Sequence, residues 1–161
     1  MEPLAANPLS LLTFIAAPAI LTNASSIMSL GTANRFARAI DRARALSKEV
    51  GEQPRDDDPN VVFKLRQLRY AERRALLLVR ALTAFYVSVG SFGAASLISL
   101  VAGVFFVAQQ DLPRQIALGV ALAAGVVGVG GLVAGSGLLV FETRMTLHIL
   151  REETAMMLKS K

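Results

Sequence analysis

At 161 residues, with 53% hydrophobic side chains and a mean hydropathy of +0.50, the chain has the length of one domain but not the charge pattern of a soluble one, which would give every helix a wet face. It contains no cysteine, so disulfides, iron–sulfur clusters and thiolate zinc sites are excluded. The net charge of +5 and the pI near 10.2 are held in separate blocks, which in a membrane protein reflects topology more often than nucleic-acid binding.

Leu4 to Asn34 is uncharged and begins a first helix at Asn7-Pro8, where a side-chain acceptor precedes a proline that needs no hydrogen-bond partner. A secretory signal would want a positive start, and only Glu2 is charged here, so an uncleaved first span over about 8–33 is expected. Pro18 should bend it. Thr22, Asn23, Ser25, Ser26, Ser29, Thr32 and Asn34 crowd its second half and are expected to face other helices or water. Thr22, Asn23, Ser26 and Ser29 are therefore candidates either for polar contacts between helices or for a pore lining; a re-entrant course fits the same composition.

Residues 34–80 read as a cytoplasmic helical hairpin. Its first arm, Arg35 to Val50, would pack through Phe36, Ala39, Ile40, Ala43 and Leu46. Gly51 to Asp58 breaks the pattern as a solvated turn, and Asp58-Pro59 starts the next helix. On the second arm Val62, Leu65, Leu68, Ala75, Leu76 and Val79 follow three- and four-residue spacing, interrupted by Glu72. Asp56, Asp57 and Asp58 lack the ordered spacing of a calcium loop and read as linker plus cap.

No breaker separates this arm from Ala81 to Gln110, 30 residues without a charge. Asp111-Leu112-Pro113-Arg114 then precedes Gln115 to Phe141, another 27. A bilayer core needs about 20 apolar residues as helix, so spans over about 81–109 and 114–141 form a membrane hairpin. Ser91, Ala95, Ser99 and Gly103 recur every fourth residue, and Gly131 with Gly135 forms a G-x-x-x-G; such small residues let helix backbones approach. The glycine-rich run has neither the register nor the flanking strand of a phosphate-binding loop. The surplus of small-residue stripes predicts a homo-oligomer. A cytoplasmic helix over about 142–161 closes the chain; it carries His148, which has no metal-ligand or catalytic partner pattern around it.

Orientation follows from the flanks. Residues 34–80 hold twelve Lys and Arg and residues 142–161 hold four, whereas residues 109–114 hold one. The positive-inside rule puts the N-terminus outside and both charged segments in the cytoplasm. Arg35, Arg38 and Arg42 lie on one helix face and Arg66, Arg69 and Arg73 repeat that spacing, two stripes expected to bind anionic lipid or a protein partner, with Asp41 and Glu72 pairing across the hairpin. The uncharged runs of the three spans hold no Asp, Glu, His or Lys to relay a proton, which argues against a proton-driven carrier.

The segment Asn34-Arg35-Phe36-Ala37-Arg38-Ala39-Ile40-Asp41-Arg42-Ala43-Arg44, following an apolar-to-polar span, resembles the N-R-x-x-R-x-x-D-R-x-R pattern of a family of small, functionally uncharacterised bacterial membrane proteins. The resemblance extends through Leu65-Arg66-Gln67-Leu68 and Arg73-Arg74 to a closing third span. It implies a bacterial inner-membrane location, three spans, and Asn34, Arg35, Arg38, Asp41, Arg42 and Arg44 as the matching positions, but no activity.

The expected protein is thus one all-α integral membrane domain over 1–161, with three transmembrane helices and no cofactor, metal or nucleic-acid partner. Its expected role is non-enzymatic: structural, scaffold or regulatory, with a basic hairpin for lipid or partner. The alternative is a small homo-oligomeric channel lined by the polar half of the first span.

Overall fold

The computed structural model describes the backbone of residues 8–51 and 59–159 and the side chains of 13, 16–51, 61–105 and 107–147. The caps expected at Asn7 and Asp58, the turn over 52–58 with Asp56 and Asp57, and the side chain of His148 lie outside the described residues. The fold is all-helical: α1 (Pro8–Gly51), α2 (Pro59–Val107) and α3 (Asp111–Lys159) follow one another. The first two start on their prolines, and α3 starts at Asp111, whose carboxylate meets Arg114 one turn on at 3.4 Å.

The turn between α2 and α3 has a specific closure. Gln109 adopts φ 55°, and Gln110 N–H donates to Phe105 O at 3.1 Å, the bond that satisfies an orphan carbonyl at a helix C-terminus. Gln110 O in turn accepts from Arg114 N–H at 3.4 Å, opening the next helix.

The chain divides into two compact units, Met1–Ser29 with Thr83–Ala134 and Leu30–Leu82 with Gly135–Lys161. In the first, buried or half-buried residues of α2 recur at Phe85, Ser88, Phe92, Ala95, Ser99 and Ala102, alternating three and four. Those of α1 fall at Pro18, Thr22, Ser25 and Ser29, and those of α3 at Ala117, Ala121, Ala124, Gly128 and Gly131. That is the spacing of side chains interlocking between neighbouring helices. The two buried phenylalanines are large and the residues opposite are small. A Cβ on Gly128 would lie 2.7 Å from the Phe92 ring, and one on Gly131 would lie 2.8 Å from Ala84 O. Glycine is required at both places by close approach.

The second unit repeats the spacing with Thr32, Phe36, Ala39, Ala43 and Leu46 of α1, Lys64, Gln67, Ala71, Arg74 and Leu78 of α2, and Gly135, Leu138, Glu142 and Met145 of α3. Its apolar centre is Ala39, Ala75 and Leu78, flanked by Phe36, Ile40 and Leu139. The arm of α1 packs through the expected residues. The arm of α2 does so only in part: Ala75 is buried and Leu68 half-buried, but Val62, Leu65, Leu76 and Val79 are exposed, and the seam also takes in Lys64, Gln67 and Arg74. Long polar side chains bury their aliphatic stems while their heads reach the rim, so an apolar count alone misplaces the face.

Two of the helices, over Val61–Phe105 and Asp111–Leu147, are long and apolar enough to cross a membrane. Only 28% and 11% of their most apolar windows are buried, so the apolar surface is turned outward rather than into a core. Seven glycines in α3 would each cost about 1 kcal/mol against alanine in water, so packing and surroundings rather than propensity sustain that helix.

Candidate functional site

Within the second unit the three helices enclose a cleft of about 380 Å³. Arg38 and Arg42 reach it from α1, Gln67, Tyr70 and Arg74 from α2, and Thr146 from α3, over a floor of Ala39, Leu46, Ala71 and Met145. The positions follow from helical spacing. Arg38 and Arg42 each precede a seam residue, Ala39 and Ala43, and so line the edge of the crevice; Gln67, Ala71 and Arg74 are seam residues themselves.

One wall is electrostatically fixed. Glu142 is 2% exposed and its carboxylate is held by Arg74, with Arg35 3.9 Å away on the other oxygen. Thr146 Oγ1 donates to the Glu142 backbone carbonyl at 3.0 Å and lies 3.4 Å from its carboxylate. The carboxylate thus meets positive charge from two helices and lies beside a hydroxyl of its own. Arg38 and Arg42 form no ion pair among the described residues. Asp41 and Glu72 are exposed and take no ion pair there either, so the pairing expected between them and the arginine stripes is absent among the described residues; an ion pair that does join α1 to α2 is Glu49 with Lys64, at 3.5 Å. An exposed carboxylate gains little from such a pair, because water screens it and two side chains must be ordered.

The stripes therefore separate. Arg38 and Arg42 line the cleft and Arg35 turns to Glu142, whereas Arg66, Arg69 and Arg73 are exposed beyond the lining, as are Asn34 and Arg44. The arginine that α2 contributes is Arg74, which counting back by sevens and fours from the buried Leu78 and Phe85 would have found.

The polar half of α1 is not one face. Ser29 is buried, Thr22 half-buried, and Asn23 and Ser26 exposed. The hydroxyls turn back on their own helix: Thr22 donates to Pro18 O at 2.8 Å, Ser25 to Leu21 O at 2.8 Å, Ser26 to Thr22 O at 2.9 Å and Ser29 to Ser25 O at 2.9 Å. They satisfy themselves without the partner helix that hydroxyls in an apolar setting were expected to need. Of the small-residue positions, Ala95, Ser99 and Gly135 are buried, while Ser91, Gly103 and Gly131 are half-buried. A strict four-residue repeat drifts off a seam of period 3.5, which leaves Ser91 and Gly103 at its edges. Gly128, which lies outside the G-x-x-x-G pair, joins Gly131 as a close-contact glycine, whereas a Cβ on Gly103 would meet nothing within 4 Å. Among the described residues no group of three His, Cys, Asp or Glu side chains is placed to hold a metal ion.

A family model described as Protein of unknown function (DUF2721) matches residues 15–152, and the chain belongs to that family. Searches of curated proteins and of solved structures find no match.

Proposed function

We propose that this member of the family is a non-enzymatic, three-span protein of the bacterial inner membrane, with a structural, scaffold or regulatory role exercised through its basic helical hairpin. Residues 8–33, 81–109 and 114–141 cross the bilayer, and residues 34–80 and 142–161 lie in the cytoplasm. The outward apolar surface of α2 and α3 supports the first part, since valines and leucines such as Leu97, Val104, Val126 and Val133 need an apolar solvent. The concentration of Lys and Arg in 34–80 supports the orientation.

The observation that carries the functional reading is that Arg38 and Arg42, free of acidic partners among the described residues, share one cleft with Arg74. With Arg66, Arg69 and Arg73 exposed alongside, the hairpin presents a field that attracts anionic headgroups at about 1 kcal/mol per close charge. The protein in zwitterionic nanodiscs is expected to capture vesicles containing phosphatidylglycerol, less strongly as salt rises. Arg38→Ala with Arg42→Ala should weaken that capture; capture unchanged by the pair rejects the role.

A second reading, a small homo-oligomeric channel, draws support from one feature. Asn23 is exposed between the exposed Ile20 and Ile27, an amide where hydrocarbon would leave it without partners. Ion flux into liposomes that changes with Asn23→Leu would favour that reading over the scaffold.

A further inference from the structure

Resting on the reading of the hairpin as an anion-attracting face, we infer that the cleft of the second unit is a discrete site for one phosphate group, with Arg38, Arg42 and Arg74 as its cationic donors. A surface that works only by summed charge needs no cavity and no convergence of side chains from different helices. Here two arginines of α1 and one of α2 open on the same space of about 380 Å³, with Gln67, Tyr70 and Thr146 in its wall.

The charge balance selects the ligand. The charge of Arg74 is balanced by Glu142, to which its Nε–H donates, so Arg38 and Arg42 carry the unmatched charge of the cleft while Arg74 brings further N–H donors to it. Neighbouring acids do not cancel it: Asp41 and Glu72 are exposed off the lining, and Glu49 pairs with Lys64. Two unmatched positive charges complement a phosphate monoester or free phosphate, which carries about −1.5 to −2 near neutral pH, better than a singly charged carboxylate. Guanidinium is also the side chain whose forked donors fit a tetrahedral oxyanion, and the half-buried Tyr70 adds a hydroxyl.

The group arrives either as free phosphate or as the headgroup of a lipid, and Arg74 touches both the ligand space and Glu142.

The test uses the full chain in phospholipid-free detergent, observed by phosphorus NMR and calorimetry while titrated with inorganic phosphate, with short-chain phosphatidic acid and with phosphatidylcholine. Saturable binding at one site per chain is expected for phosphatidic acid, for inorganic phosphate or for both, and not for phosphatidylcholine. Binding of both identifies phosphate alone as sufficient; binding of phosphatidic acid only identifies the lipid as the source. Arg38→Gln and Arg42→Gln should each weaken it about tenfold, as loss of a charge-assisted bond implies. Arg66→Gln/Arg69→Gln/Arg73→Gln removes more charge outside the cleft and should leave it within about twofold while reducing salt-sensitive vesicle capture. Absence of saturation, or equal weakening by the inner and outer sets, overturns the cleft and leaves the surface reading standing. Vesicle capture that loss of Arg38 and Arg42 together leaves unchanged overturns the surface reading instead.

Discussion

Arg74 of α2 and Glu142 of α3 form an ion pair in which the carboxylate is 2% exposed while the arginine side chain remains 39% exposed. The asymmetry means that the two partners are not equally replaceable. Arg74 can rehydrate if its partner is removed, whereas Glu142 would keep only Arg35, 3.9 Å away, and the Thr146 hydroxyl. Such a pair adds little net stability compared with apolar packing, but losing the cation alone leaves a buried charge.

Arg74→Met is therefore expected to destabilise the fold by about 3 kcal/mol, and Glu142→Gln by about 1 kcal/mol. Arg74→Met combined with Glu142→Leu should recover most of the loss. Reversible unfolding in mixed micelles, analysed as a double-mutant cycle, measures this; additive losses would show that the two side chains are energetically independent.

The glycines of α3 divide into two sets by what surrounds them. At Gly131 a Cβ would lie 2.8 Å from the Ala84 carbonyl, which is backbone and cannot rotate away, and at Gly128 it would lie 2.7 Å from the buried Phe92 ring. At Gly125 and Gly130 nothing lies within 4 Å. Gly131→Ala should cost about 1–3 kcal/mol by forcing α2 and α3 apart. Gly130→Ala should be neutral or stabilising by up to about 1 kcal/mol, because alanine restricts the unfolded chain and favours helix. Equal thermal shifts for the two variants would contradict the contact assignment.

These contrasts bear on what the sequence discloses. The uncharged runs and the proline starts locate the three helices to within a few residues, because length, charge exclusion and the missing proline N–H act locally. Which face of a helix is buried is a property of its neighbours. Arg74 and Gln67 sit on the seam because Ala71 and Ala75 let the helices approach, and a rule that seeks apolar residues passes over both arginine and glutamine. Likewise Gly131 was legible as small, but only the facing Ala84 carbonyl distinguishes it from Gly130. Arg38 and Arg42 were legible as a basic stripe; that Arg66, Arg69 and Arg73 do not meet them depends on a rotation of α2 that composition does not encode.

Gln109 carries a left-handed φ of 55° where glycine or asparagine is the usual residue after a helix end. Gln109→Gly should stabilise the α2–α3 turn by a few tenths to about 1 kcal/mol, since the strain removed exceeds the added freedom of the unfolded chain. Hydrogen exchange at Gln110, whose N–H closes the turn on Phe105 O, should slow accordingly. Faster exchange would mean that the glutamine side chain, rather than the backbone bond, holds the turn.

Asn23 poses the remaining question about α1. The hydroxyls of Thr22, Ser25, Ser26 and Ser29 are already spent on carbonyls of their own helix, so the exposed amide of Asn23 has donors and acceptors to offer a neighbour. If copies of the chain associate through this face, facing amides hydrogen-bond one another at about 1–2 kcal/mol in an apolar solvent, and Asn23→Leu removes that attraction. Association of dye-labelled chains in liposomes, read by energy transfer, should then weaken about tenfold or more, while Ser26→Ala changes it little because its hydroxyl is turned to Thr22 O. Ion flux should stay at the background of empty liposomes in both variants and in the parent protein. Flux that requires Asn23 would replace the scaffold reading with the channel, and association indifferent to Asn23→Leu would move the contact to another surface, of which exposed Val62, Leu65, Leu76 and Val79 on α2 form the next apolar candidate.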